Sequence, residues 1–177
     1  MGIINWLINL LYNFSLRKRL NQKSKETATE KNNHSKHIGI LFDESQLNQV
    51  ESIEQYLQAW ASKGKIIETF RFVDVKSFPP LDDPSNRICR KDVTWYKVPK
   101  GNKVDTFLHK KFDLLITINP EKKKFMHYLN AASNAKFKIG LLPDELEFYN
   151  LIIDCEQANQ VQSIFKNIEL TINNLSD

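Results

Sequence analysis

The chain has 177 residues, of which 41% are hydrophobic, and this length is enough for one domain with its own core plus an extension. Its two cysteines, Cys89 and Cys155, are too few for a disulfide framework and indicate reduced thiols of the kind found in cytosolic proteins. The formal net charge is +4, but residues 1–36 carry seven lysines and arginines against two glutamates. The rest of the chain is therefore close to neutral. A neutral domain lacks the basic surface that nucleic-acid-binding domains use.

The amino-terminal residues predict a short amphipathic helix. In a helix, residues 3, 4, 7, 8, 10, 11 and 14 share one broad apolar face, while Asn5, Asn9 and Asn13 recur at intervals of four on the other. The pattern ends near Leu16, because Lys18 would fall back onto the apolar face. The helix would be about 21 Å long, which is too short to cross roughly 30 Å of hydrocarbon. The positive charges follow the apolar run, which is not the order of a secretory signal.

We expect this helix to lie at a surface. Trp6 and Tyr12 suit the level of lipid headgroups, and the basic run 17–19 suits an anionic membrane, so the expected location is cytoplasmic and peripheral on the inner membrane face. Two alternatives stay open: the helix packs on its own domain or on a partner protein, or it binds ribosomal or other RNA. The residues expected to contact the membrane or partner are Ile4, Trp6, Leu7, Leu11, Phe14, Arg17, Lys18 and Arg19.

Residues 21–36 are polar and charged, and they predict a flexible linker between the helix at 1–20 and a domain at 37–177. The domain begins with an apolar strand at 37–43, a helix that ends near Gly64, and an alternating strand at 65–74. A strand–helix–strand unit of this kind places its two strands parallel to each other in one sheet. A short strand is predicted at 93–96, before Pro99.

The stretch 112–119 is a nearly continuous apolar run, and it predicts a strand buried on both faces at the centre of a parallel sheet. Asn119 as a cap and Pro120 at the first helical position predict a helix start, with Lys122–Lys124 pointing outward and His127 at the surface. A half-exposed strand at 136–141, a strand at 151–154 and a closing helix follow. The expected fold is therefore α/β, with three layers, a mostly parallel, Rossmann-like sheet and helices on both faces.

Five segments of the chain, in this order, carry a resemblance: Ile38 to Glu44, Asp92 to Trp95, Phe112 to Ile116, Ser133 to Gly140 and Tyr149 to Ile153. The order resembles a family of short bacterial proteins that is catalogued only as a domain of unknown function, whose members tend to begin with a basic segment. The resemblance covers most of residues 37–170 and implies a shared fold, but it assigns no activity to this chain, because the family has no assigned catalytic residues. Residues 113–140 also look like the amino-terminal half of heptosyltransferase-type glycosyltransferases, which implies fold and no chemistry.

The candidate ligand site lies at the carboxyl ends of the strands. In an open parallel sheet the ligand crevice forms where the strand order reverses, and if the strands at 37–43 and 112–119 are neighbours, Asp43, Glu44 and Asn119 border it with Asp74 nearby. These side chains would contact a nucleotide or sugar-phosphate, or Asp43, Ser45 and Asn119 would only cap helices. Trp95 and Lys97 would together provide a stacking surface and a charge at the rim of the pocket, or Trp95 would lie in the core.

The sequence shows no catalytic signature. Its five glycines never approach one another, so neither a dinucleotide fingerprint nor a phosphate loop is present. No histidine or cysteine has a partner at a metal-ligand or nucleophile spacing, so we predict neither a metal nor a cofactor. The leading hypothesis is a non-catalytic binding or scaffold module tethered to the membrane by its first helix. The alternatives are a small enzyme or sensor that uses the crevice, and an RNA-associated protein that uses the basic arm.

Overall fold

The computed structural model describes residues 2–23, 37–46, 50–79, 84–141, 147–153 and 161–174. One parallel sheet with the strand order β3-β2-β1-β4-β5-β6 forms its centre. The strands are β1 His37–Asp43, β2 Ile66–Phe72, β3 Arg87–Ile88, β4 Leu114–Ile118, β5 Phe137–Leu141 and β6 Leu151–Ile153. The helices are α1 Gly2–Lys23, α2 Val50–Ser62, α3 Asn102–His109, α4 Lys124–Ala132 and α5 Val161–Asn174. Cys155 and residues 24–36 of the predicted linker lie outside the described residues.

Strand β4 holds the central place that its apolar run predicts. All of its residues are buried, and it pairs in parallel with β1 on one side and β5 on the other. Helices α3 and α4 cover one face of the sheet, and α2 and α5 cover the opposite face. Successive side chains of β4 alternate between the two cores, with Leu115 in the first and Ile116 in the second. The predicted three-layer α/β fold is therefore confirmed.

Helix α1 adds a further layer outside α4. It continues to Lys23, past the end of the amphipathic pattern near Leu16 and past the predicted bound at residue 20. Leu16 and Leu20 still pack against the core that α3 and α4 form. The expectation that Tyr12 lies at a headgroup level is wrong, since only 3% of its surface is exposed. Its hydroxyl lies 2.7 Å from Nδ1 of His127 and 3.1 Å from the carbonyl oxygen of Lys124. His127, predicted at the surface, is buried for the same reason.

Two further local predictions are corrected. Residues 94–97 form a tight turn and not a strand, with the backbone N–H of Lys97 donating to the carbonyl of Thr94 at 3.0 Å. Lys138, predicted in a half-exposed strand, is buried. Its ammonium donates to the carbonyls of Asn130 and Ala131, in the last turn of α4, at 2.6 and 3.0 Å. Carbonyls in a last helical turn are not bonded by the regular helix ladder and accept from other donors.

Candidate functional site

The crevice predicted at the strand ends is occupied by side chains of the chain itself. Strands β1 and β4 are neighbours, and the strand order reverses between them, so Asp43 and Asn119 do border the same edge of the sheet. The Lys123 ammonium reaches into this edge and forms an ion pair with Asp43. Asp43 is 1% exposed and Asn119 is also buried, so neither presents its polar group to solvent.

Asn119 acts as a cap for the turn before α4. Its side-chain oxygen accepts a hydrogen bond from the backbone N–H of Lys123 at 2.9 Å, and its side-chain amide donates to the Lys123 carbonyl at 3.2 Å. The helix consequently begins at Lys124 and not at Pro120. Residues 120–123 form a turn that folds the Lys123 side chain back toward β1, so the prediction that the whole run 122–124 points outward is wrong for Lys123.

Asp43 is a cap as well. Its carboxylate accepts hydrogen bonds from the backbone N–H of Ser45 at 2.9 Å and from the Ser45 hydroxyl at 2.5 Å, in addition to its ion pair with Lys123. These contacts fix the short 3₁₀ helix Glu44–Gln46 that follows β1. The partners of this carboxylate that the structure shows are Ser45 and Lys123 of the same chain. Capping therefore explains its position without a ligand.

We therefore expect Asp43→Ala to lower the free energy of unfolding by about 2–3 kcal/mol, because it removes the turn contacts and the buried partner of Lys123, which keeps only the exposed carboxylate of Glu121 at 3.4 Å. Asp43→Asn retains an acceptor for Ser45 and loses only the ion pair, so it should cost less. Urea unfolding followed by circular dichroism measures both. An Asp43→Ala protein as stable as the parent would contradict the capping role.

Glu44 and Trp95 lie apart from the crevice. The Glu44 carboxylate is within 4 Å of Arg71 and of Arg87, at 3.9 and 3.8 Å, so it links the 3₁₀ helix to β2 and β3. Trp95 is exposed and meets the edge of the Tyr96 ring. The sequence interpretation that a single Trp in this region lies in the core is therefore wrong.

A cavity of about 790 Å³ lies beside the crevice, under the first half of α1. Asn5, Ile8 and Asn9 of α1 form one wall, and Phe72 at the carboxyl end of β2 lies across from them. The remaining lining comes from Asp74 and Arg90, from the turn at 93–97 and from residues 123–125. Of the predicted ligand contacts, only Asp74 lines this space.

The cavity lining is rich in positive charge. Arg90, Lys97, Lys123 and Lys124 contribute cations, against the single carboxylate of Asp74. Arg90 holds Asp74 through paired contacts, Nε to Oδ1 at 2.6 Å and Nη2 to Oδ2 at 2.9 Å. This guanidinium keeps the pKa of the Asp74 carboxyl below its usual range, and Asp74 in turn raises the pKa of Arg90. The carboxylate is thus already neutralised by one of the cations around it.

The other cavity cations differ in how they are held. Lys124 contacts the side-chain oxygen of Asn9, a neutral partner on α1, and Lys123 contacts Asp43 outside the lining. Lys97 makes no ion pair or side-chain hydrogen bond with any residue that the structure describes. Its backbone has φ 65°, in the left-handed region that residues other than glycine seldom adopt.

The outer side of α1 carries a second feature, an apolar surface. We use the term outer stripe for Ile3, Leu7, Leu10 and Phe14, which recur at alternating intervals of four and three and are all exposed. Ile4, Trp6, Arg17 and Lys18 are exposed beside or beyond the stripe. Leu11 and Arg19, also predicted to contact a membrane or partner, are partly buried, and Arg19 pairs with Asp105 at 3.4 Å.

Neither cysteine chemistry nor metal binding is apparent in the described part of the chain. Cys89 is buried, and this burial raises the pKa of its thiol, so the reactive thiolate is disfavoured. No group of three or more His, Cys, Asp or Glu side chains that could hold a metal ion occurs among the described residues.

Sequence reasoning did not identify most of the cavity residues. The sequence pattern indicates Asn5 and Asn9 only as part of the polar face of a helix, and Lys123 only as part of a basic run. The lining is assembled from segments that are far apart in the chain, so no local motif marks it.

The comparisons with known proteins extend this description. The model of one family of unknown function, DUF6913, matches residues 12–169. The match starts at Tyr12, the first buried residue of α1, and so includes the half of that helix that packs on the domain. No curated protein and no solved structure matched the chain. Because the match spans most of its length, the chain belongs to the DUF6913 family of unknown function.

Proposed function

We propose that this protein is a non-catalytic binding module of an anionic membrane surface, which it contacts through the outer stripe of α1. The single observation that carries the proposal is the exposure of that stripe on a helix that is itself fixed to a folded domain. Ile3 is 82% exposed and Phe14 is 69% exposed. Large apolar side chains that are contiguous and exposed are typical of surfaces that meet a partner or a membrane.

The orientation of α1 supports a role for this surface. A helix that served only to cover the domain would turn its most apolar face inward. Here Asn5 and Asn9 line the cavity between α1 and the domain, with Asn9 in contact with Lys124, and Tyr12 and Leu16 provide the buried contacts. The four large apolar side chains of the outer stripe are left outside, where their burial against lipid would be favourable by up to about 1.5–3 kcal/mol for each fully buried side chain.

Charge favours lipid over a second copy of the chain as the occupant. Arg17 and Lys18 follow Phe14 by three and four residues, so they lie on the same side of the helix as the stripe, one turn further on. Each cation close to an anionic leaflet contributes about 1 kcal/mol. The same cations would interrupt a coiled coil after Phe14. The apolar repeat from Ile3 to Phe14 is also shorter than the three to four heptads, on the order of 25 residues, that indicate a coiled coil.

No helix among the described residues is long and apolar enough to cross a membrane. An amphipathic helix in the plane of the interface inserts only its apolar side, and its attachment is reversible.

Flotation of the full-length protein with vesicles tests the proposal. We expect the protein to float with vesicles that contain phosphatidylcholine and phosphatidylglycerol, and to float much less with phosphatidylcholine alone. Raising the salt concentration to about 0.5 M should weaken the attachment, because it screens the exposed cations. Absence of flotation with both vesicle types would reject the proposal, and a stable dimer whose interface buries Phe14 would assign the stripe to a second copy instead.

A further inference from the structure

The inner side of α1 offers a site that is separate from the outer stripe. We infer that the cavity between α1, β2 and the start of α4 binds a phosphate ester that carries an apolar group. This inference does not rest on the proposed membrane attachment, because the cavity is lined by Asn5, Ile8 and Asn9 and not by the outer stripe.

The size of the cavity fits a small molecule. Ligand pockets commonly occupy about 300–1,000 Å³, and this cavity holds about 790 Å³. It lies at the carboxyl edge of the parallel sheet, where open α/β folds place their ligands. The crevice between β1 and β4 is closed by the pair of Asp43 and Lys123, so the open space is displaced toward β2.

The charges select an anion. Arg90, Lys97, Lys123 and Lys124 surround the space, and its single carboxylate, Asp74, is paired with Arg90. The first turn of α4 also lies at the cavity through Lys124 and Phe125. Backbone N–H groups of a first helical turn lack partners within the helix and favour negative charge. A cation would instead meet the four basic side chains of the lining.

The apolar part of the lining indicates that the anion belongs to a larger ligand. Phe72, Phe125, Ile8 and Val93 lie among the charged side chains. Lys123 is 5.4 Å from the centre of the Phe72 ring, so cationic and aromatic groups are adjacent. A phosphate ester with a neighbouring apolar group would contact both the basic and the apolar side chains of the lining, whereas inorganic phosphate would contact only the basic ones.

Lys97 is the side chain best placed to respond to a ligand. It makes no ion pair with the described residues, and its left-handed backbone is one that Gly or Asn would adopt with less strain. Other residues stabilise the turn that contains Lys97: the Thr94 hydroxyl oxygen accepts a hydrogen bond from the backbone N–H of Val98 at 2.9 Å, and Val98 is buried. The turn itself therefore gives no reason for a lysine at this position.

Titration calorimetry on the full-length protein tests the inference with three probes: phenyl phosphate, monomeric dihexanoyl phosphatidic acid, and uncharged dihexanoylglycerol. We expect saturable binding of one or both phosphate esters and none of the uncharged lipid. Binding of phenyl phosphate would identify a soluble phosphorylated molecule as the ligand type, and binding of the phosphatidic acid alone would identify a lipid headgroup.

The matched variants are Lys97→Asn and Lys122→Asn. Both replace a lysine with a left-handed backbone by a residue that tolerates it, but Lys122 is exposed and does not line the cavity. Lys97→Asn should weaken binding about ten-fold, the loss of one charge-assisted hydrogen bond, with no loss of thermal stability, and Lys122→Asn should leave the affinity unchanged.

The inference is overturned if neither ester binds, if the uncharged lipid binds as well as the esters, or if both variants weaken binding equally. Failure of the membrane proposal would leave these results untouched, because outer-stripe variants should retain the affinity for the soluble probe.

Discussion

Leu10→Asp combined with Phe14→Asp is expected to release the protein from anionic vesicles, lowering the partition coefficient at least about a hundred-fold. Both side chains are exposed on the outer stripe, so the substitution removes apolar area that would enter the lipid and adds charge that would repel it. The fold should not change, since exposed substitutions usually alter stability by no more than about 0.5 kcal/mol. Flotation gives the partition coefficient, and thermal unfolding gives the stability.

A control on the same helix separates apolar burial from net charge. Asn13→Asp with Gln22→Asp introduces the same two negative charges at exposed positions outside the outer stripe, and we expect it to reduce vesicle binding far less. Equal losses in the two double variants would show that attachment is electrostatic alone. Unchanged binding in the stripe variant would show that another surface meets the lipid.

The fold was predictable because the sheet depends on local apolar runs. The run at 114–118 has no polar residue except Thr117, and Thr117 is buried with its hydroxyl bonded to Asn130 at 3.0 Å. A run of this kind fixes a strand that is covered on both faces, whichever helices cover it. The full order of six strands was not predictable, because nothing within one strand states which neighbour it pairs with.

The attachment of α1 was not predictable from its helical pattern. Periodicity identifies an apolar face and a polar face, but it does not say which of them meets the domain. The contact of Tyr12 with His127 joins residues that are 115 positions apart, and no feature of either segment marks the pair. The linker and domain boundaries at 21–36 and 37–177 stay predictions, although α1 itself extends through residues 21–23.

For the candidate site too, features set by neighbouring strands were predictable from the sequence, and features set by the packing of α1 were not. The prediction that Asp43 and Asn119 share one edge of the sheet is confirmed, because β1 and β4 are parallel neighbours whose carboxyl ends meet at that edge. Their roles as caps were one of the alternatives that the sequence left open, and the recorded contacts favour it. The cavity that replaces the crevice depends on where α1 lies, so the sequence could not indicate it.

The strongest expected effect on stability comes from Tyr12→Ala. Truncating a buried aromatic side chain costs about 3–5 kcal/mol, and Tyr12 also supplies the hydroxyl that contacts His127 and the Lys124 carbonyl. Tyr12→Phe removes only that hydroxyl and should cost about 1–2 kcal/mol. Urea unfolding measures both losses, and Asn13→Ala, an exposed neighbour on the same helix, serves as the control.

Hydrogen exchange gives the local signature of the same change. If α1 is part of the folded domain, Tyr12→Ala should accelerate exchange in α1 more than in β4, because a helix that has lost its main buried contact opens without global unfolding. The affinity of the cavity for a phosphate ester should fall at the same time, since α1 forms one of its walls. Exchange and stability that match those of Asn13→Ala would mean that Tyr12 does not anchor the helix. The outer stripe would then belong to a helix that is free of the domain, and the cavity under it would not persist in solution.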